Sequence, residues 1–179
     1  IPHFKRIGDA LKEAGRNGMP TAGYVMREQA ERIPDRTFLR FEDETVSFGE
    51  YNAGVNRYAS ALRRLGVERG EPVAVMMDNS SPFLMAEGAL AKLGAIGALV
   101  NTHLRGAALA HVLAAARARV VLADGAATPA LAEIDTAGTT VLSLEPAATG
   151  FRSLPEALAA AGAAEPDIPD VKVSDVFLY

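Results

Sequence analysis

Apolar positions recur along this chain at two periods, and the alternation of the two sets the expected fold class. Tyr51, Val55, Tyr58, Leu62 and Leu65 are spaced four, three, four and three, which is one face of a helix. Ser47-Phe48-Gly49-Glu50 precedes that stripe with capping-box spacing, and Gly66 follows it as the expected left-handed cap, closed over by Val67. Val73–Met77 is an unbroken apolar run, the signature of a parallel strand covered on both faces. Ser81-Pro82 predicts a helix start with Ser81 as N-cap, and Gly94 its stop after Leu93. The pattern then repeats: a strand over Ile96–Val100, a helix over 106–116, a strand over Val120–Ala123, a short helix near 129–135, and a strand over Thr140–Leu144. Ser153-Leu154-Pro155-Glu156 opens a last short helix running to Ala161.

Before this block, Thr21 is placed to cap a helix over about 22–33, ended by Pro34. Thr37–Phe41 and Thr45–Phe48, turned at Asp43-Glu44, read as a small hairpin. Phe4, Ile7, Leu11 and Ala14 share one face of a further helix over 3–17, with Lys5, Lys12 and Arg16 elsewhere around it. Packing on its own domain is the ordinary use of such a helix; a peripheral contact with an anionic membrane surface is the other. The expectation is an open, doubly wound, mostly parallel α/β sheet with helices on both faces and a small N-terminal hairpin. Residues 1–20 read as an N-terminal extension, 21–162 as the α/β unit, 163–174 as an acidic, proline-bearing linker, and 175–179 as the start of another strand. A strand ending there would have an unpaired edge, which invites a dimer. The packed side of the 47–66 helix should meet the strands at Val73, Val75, Ile96, Val121 and Leu122.

Composition narrows the chemistry more than it identifies it. The 179 residues carry a formal net charge of −4 and no cysteine. A thiolate nucleophile, a disulfide framework and cysteine-ligated zinc are excluded, and no basic stripe suits nucleic acid. Alanine makes up about a fifth of the chain, which favours helix. No apolar run reaches the ~18 residues of a spanning helix, and no signal-peptide pattern is read in the first residues of this sequence. A cytoplasmic protein is expected, or one peripheral to the inner membrane face through residues 3–17. The first residue is Ile1 rather than Met, so a trimmed N-terminus is expected.

Phosphate-binding and nucleophile-elbow motifs are missing: no G-x-G-x-x-G follows a strand, no G-x-x-x-x-G-K-[ST] occurs, and no G-x-S-x-G occurs. His3, His103 and His111 lack metal-ligand spacing, so neither a metal site nor a catalytic residue is assigned. Position alone picks out polar candidates, because open parallel sheets gather ligands beyond the carboxyl ends of their strands. Asn79 (within Asp78-Asn79-Ser80), Asn101 and Arg105 (within Asn101–Arg105), and Asp124 follow three successive strands. They are candidates for a substrate crevice. Turn and capping chemistry is the alternative for each, and Arg105 could pair with Asp124 to brace neighbouring loops.

Four stretches taken in order carry a resemblance. They are Thr45–Tyr51 (TVSFGEY), Gly66–Val75 (GVERGEPVAV), Asn79–Phe83 (NSSPF) and Lys92–Asn101 (KLGAIGALVN). Together they resemble the N-terminal portion of the adenylate-forming enzymes, which include acyl-CoA synthetases, luciferases and the adenylation domains of peptide synthetases. Asn101-x-x-Leu104-Arg105 looks closest to the fatty-acid transport protein type of long-chain acyl-CoA synthetase. The resemblance implies a partial domain of a larger ligase that uses ATP, Mg²⁺ and coenzyme A. A fatty acid or other carboxylate forms an acyl-adenylate, and the coenzyme A thiol then displaces AMP. Acyl-AMP ligases and peptide-synthetase adenylation domains are alternatives within the superfamily, and a non-catalytic binding domain is one outside it. In the family a strand like Val176–Tyr179 leads into a lysine-bearing, Ser/Thr/Gly-rich phosphate loop. No such loop lies within these 179 residues, so no family catalytic residue maps onto them, and the segment alone is expected to be inactive and to bind no cofactor.

Overall fold

The computed structural model describes residues 21–145, 150–167, 171–172 and 175–178. The predicted helix over 3–17, with His3, lies outside them, as does Tyr179. Thr21 caps helix α1 (Ala22–Arg32), its hydroxyl accepting from the Tyr24 amide at 3.3 Å. Strands β1 (Thr37–Phe41) and β2 (Glu44–Ser47) form the antiparallel hairpin. Its turn falls at Glu42-Asp43, one residue earlier than expected, with Glu42 in the left-handed region at φ 51°.

Helix α2 (Phe48–Arg64) follows directly. Its capping box is complete: the Glu50 amide donates to Ser47 Oγ at 3.2 Å, and the Ser47 amide donates to Glu50 Oε2 at 2.8 Å. At the other end Gly66 is left-handed at φ 77°, and the amides of Gly66 and Val67 reach back to the carbonyls of Arg63 and Leu62. That is the paired closure expected of a glycine-capped helix. Tyr51, Val55, Tyr58 and Leu62 are buried, as the spacing predicts; Leu65 is half-buried at the rim.

The sheet contains β3 (Pro72–Met76), β4 (Ile96–Leu99), β5 (Val120–Ala123), β6 (Thr140–Ser143) and β7 (Arg152–Ser153). All pairs are parallel, in the order β4-β3-β5-β6-β7. Helices α3 (Ser81–Leu93), α4 (Gly106–Ala116), α5 (Thr128–Ala132) and α6 (Leu154–Ala159) complete the fold. Beyond β7, the C-terminal strand appears as a single parallel bridge, Leu178 to Gly97, with the Gly97 amide donating to the Phe177 carbonyl at 2.7 Å.

Further details depart from the sequence pattern. Ser80, not Ser81, caps α3, with Oγ accepting from the Phe83 amide at 3.2 Å. Ser81 is buried and donates instead to a carboxylate oxygen of Glu44, tying the hairpin to the helix start. Val121 does not face α2, and Ile96 is only half-buried. Side chains alternate along a strand, so Val73, Val75, Val120, Leu122 and Leu142 join the α2–α3 layer, whereas Ala74, Met76, Val121, Ala123 and Val141 join the α4–α5 layer.

The two layers differ in grain. Seven of the thirteen buried residues in the α4–α5 layer are alanine, against four of nineteen in the α2–α3 layer, so the former is built by close approach and the latter by large side chains. The hairpin sits on α2, with Phe38 stacked on Tyr51 at a ring-centroid distance of 4.1 Å. Among the described residues no helix is long and apolar enough to cross a membrane.

Candidate functional site

The strand order reverses direction between β3 and β5, since the chain goes from β3 outward to β4 and then crosses back. Ligands of open α/β sheets favour the crevice at such a switch point. Here the loops after β3, β4 and β5 meet at that place. Asp124, directly after β5, fills it with its own carboxylate. Oδ2 accepts from the Asp78 amide at 2.6 Å and Oδ1 from the Ala127 amide at 2.9 Å, closing the crevice and capping the turn into α5. Asp78 Oδ1 accepts in turn from the Thr102 hydroxyl at 2.7 Å, which joins the β4 loop to the β3 loop.

Asn101 Oδ1 accepts from the His103 amide at 2.8 Å, a local turn that a side-chain amide closes readily. Arg105 donates from Nη1 to the carbonyls of Thr102 and Leu104, at 2.6 and 2.7 Å. It folds over its own loop, and the partners of the Asp124 carboxylate are backbone amides. Asn79 is exposed and enters none of these bonds. Thus the structure brings the loops of Asp124 and Asn101 together through Asp78 and Thr102. His103 and His111 are exposed, and no group of three acidic, histidine or cysteine side chains among the described residues could hold a metal ion.

An ATP triphosphate needs cations and free amides converging on it. The switch point offers two carboxylates whose neighbouring amides are already bonded, and its arginine is turned onto carbonyls. The residues at this switch point do not fit that group.

Among the described residues, a denser polar cluster lies elsewhere. Lys92, in the last turn of α3, is fully buried. Its Nζ donates to Asn52 Oδ1 and Asn56 Oδ1, both at 2.7 Å, and to Glu165 Oε1 at 2.5 Å. Glu165 Oε2 accepts from the two asparagine amides at 3.3 and 3.1 Å. Burial lowers the Lys92 pKa, and Glu165 only partly restores it. Burial also works to raise the Glu165 carboxyl, but Lys92, Asn56 and Asn52 outweigh it and hold the group below its ordinary value. The sequence carried part of this signal: Asn52 and Asn56 are one turn apart, and Lys92 interrupts an apolar helix. Glu165 is 73 residues from Lys92, beyond any local pattern.

A family model described as AMP-binding enzyme matches residues 26–177. The medium/long-chain-fatty-acid–CoA ligase FadD6 of Mycobacterium tuberculosis is 38% identical over 117 residues, covering 65% of this chain and 20% of that protein. The long-chain-fatty-acid–CoA ligase FadD13 of the same species is 31% identical over 157 residues, covering 84% of this chain and 30% of that protein. The chain therefore spans 20% to 30% of the length of these curated relatives. Among solved structures, the N-terminal domain of FACL13 from M. tuberculosis superposes with a TM-score of 0.77 at 25% identity, covering 89% of this chain and 41% of that one. The anthranilate CoA ligase AuaEII, in complex with anthranoyl-AMP, gives a TM-score of 0.81 at 21% identity over 88% of this chain and 31% of that one, a likeness of fold.

Proposed function

Since this chain belongs to the AMP-binding enzyme family, with the match running over residues 26–177, we propose that it is the N-terminal part of an ATP-dependent fatty-acid–CoA ligase. The observation that carries the reading is the continuous likeness to a long-chain-fatty-acid–CoA ligase over 84% of the chain. In the complete enzyme a fatty-acid carboxylate attacks the α-phosphate of ATP, releasing pyrophosphate, and the coenzyme A thiol then displaces AMP from the acyl-adenylate. ATP, Mg²⁺ and coenzyme A supply that chemistry, and the groups that hold them lie outside these 179 residues. This part serves as scaffold. Its strand-end loops carry Asn79, Asn101, Arg105 and Asp124; the bonds of Asp124 and Asp78 brace them, and Asn79, exposed and outside those bonds, is the residue expected to touch a ligand.

Fatty-acid-dependent exchange of pyrophosphate into ATP, followed by thioester formation with coenzyme A, tests the reading on the longer protein that carries these residues. Medium- or long-chain fatty acids should support both steps. Exchange with benzoate but with no fatty acid would overturn the substrate class. Adenylate without thioester would make it an acyl-AMP ligase, and no exchange with any carboxylate would end the ligase reading. The 179 residues alone should give no exchange above a heat-killed control.

A further inference from the structure

Residues 160–167 leave helix α6 and run back across α2 and α3 without regular secondary structure. Within the segment only Ala161 is buried, and past it no backbone-to-backbone hydrogen bond is made through Asp167 among the described residues. The attachment is therefore by side chains. Arg64 Nη1 donates to the Ala160 carbonyl and Arg63 Nη1 to the Asp167 carbonyl, both at 2.6 Å on the exposed surface. Asn56 Nδ2 donates to the Ala163 carbonyl at 3.1 Å. The attachment that reaches the buried lysine is Glu165, itself at the surface, whose carboxylate closes the cage around Lys92. The lysine is sealed from the opposite side by α1, because a Cβ on Gly23 would come within 2.9 Å of Lys92 Cγ.

A segment with few apolar contacts and many polar ones is drawn from the low-stability end of a structure and opens as a unit. A buried ammonium that loses its counter-charge is strongly unfavourable, which makes the closed arrangement depend on one pair. We propose that Lys92 is the latch of a releasable strap: its ammonium holds segment 160–167 on the α2–α3 pair through Glu165, and loss of that pair frees the segment while the sheet and its two helical layers stay folded. The device is independent of the reaction the protein performs.

Elastase, which cuts after small residues such as Ala163 and Ala164, reads the strap directly under native conditions. Amide exchange in α4 reads the layers in the same samples. Glu165→Ala acts from the exposed side, and is expected to speed cleavage within 160–167 roughly tenfold or more while α4 exchange changes less than about twofold. Glu165→Gln keeps an acceptor for Lys92 without the charge and should fall between. Lys92→Met should behave like Glu165→Ala; should it fail to fold, the two Glu165 variants still decide. Unchanged cleavage in Glu165→Ala would overturn the proposal, and so would strap cleavage and α4 exchange rising in parallel, since the segment would then have no opening of its own.

Discussion

Leu62 and Arg63 are adjacent in sequence and opposite in consequence. Leu62 is 1% exposed in the larger core, so Leu62→Ala should cost about 2–5 kcal/mol through lost transfer energy and the cavity left behind. Arg63 is exposed and gives one hydrogen bond to the Asp167 carbonyl, so Arg63→Ala should cost about 1 kcal/mol or less. Urea midpoints of the two variants check both values, and equal midpoints would contradict the assigned helix face. The four-three-four-three spacing made this pair legible without coordinates. Side chains at the strand ends were less legible, because Asp, Asn and Ser bond equally well to a ligand and to a nearby amide. Asp124 and Asn101 took the amides, and nothing local in the sequence distinguishes that outcome. Ser80 and Ser81 show the same ambiguity at one-residue resolution: either can cap α3, and Glu44, from the hairpin, supplies the partner that draws Ser81 inward.

Helices and strands that bury a periodic face were readable as elements, since packing and propensity agree there. The two-residue strand β7 was not, being too short to show a period and fixed only by its pairing with β6. The crossing of α2 and α3 was also invisible, because it depends on two glycines with no local role. A Cβ on Gly54 would strike Met85 Sδ, and one on Gly88 would lie 2.7 Å from both Tyr51 Oη and Val55 Cγ2. Val55 is stiff and fully buried, and the Tyr51 hydroxyl is held by its bond to the Leu84 carbonyl at 2.9 Å. Neither can yield freely. Gly88→Ala gains up to ~1 kcal/mol of helix propensity but forces an overpacked contact worth about 1–3 kcal/mol. A net loss of stability is expected, read as a lowered thermal midpoint; a raised midpoint would mean that the helices can slide apart at little cost.

Across the whole molecule, several carboxylates respond to acid in the same direction. Glu50 is held below its ordinary value by the Ser47 amide and hydroxyl, Glu71 by the Arg119 guanidinium and the Glu68 amide, and Asp175 by Arg69 and the Lys172 amide. At Glu165 burial opposes the shift, and Lys92 with the two asparagines overcomes it. Each such group contributes stability that is present above its ordinary pKa and lost as pH falls through the lowered, folded value. Glu87, raised by burial, works the other way but is one group against four among the described residues. Arg27 and Glu31 of α1 also act on Lys92, in opposite senses. Urea midpoints should therefore fall from about pH 7 to about pH 3, with a shallower fall in Glu165→Gln; a midpoint rising on acidification would contradict the assignment. The two helical layers carry a further consequence, for what mutation can do to each. On the α2–α3 side, where large residues meet, random change mostly shortens a side chain and leaves a hole, which a neighbour can partly refill. On the α4–α5 side, where alanines set the spacing, almost every substitution adds atoms to a space already closed. The first face should drift among hydrophobic alternatives over evolutionary time; the second should stay small or be lost.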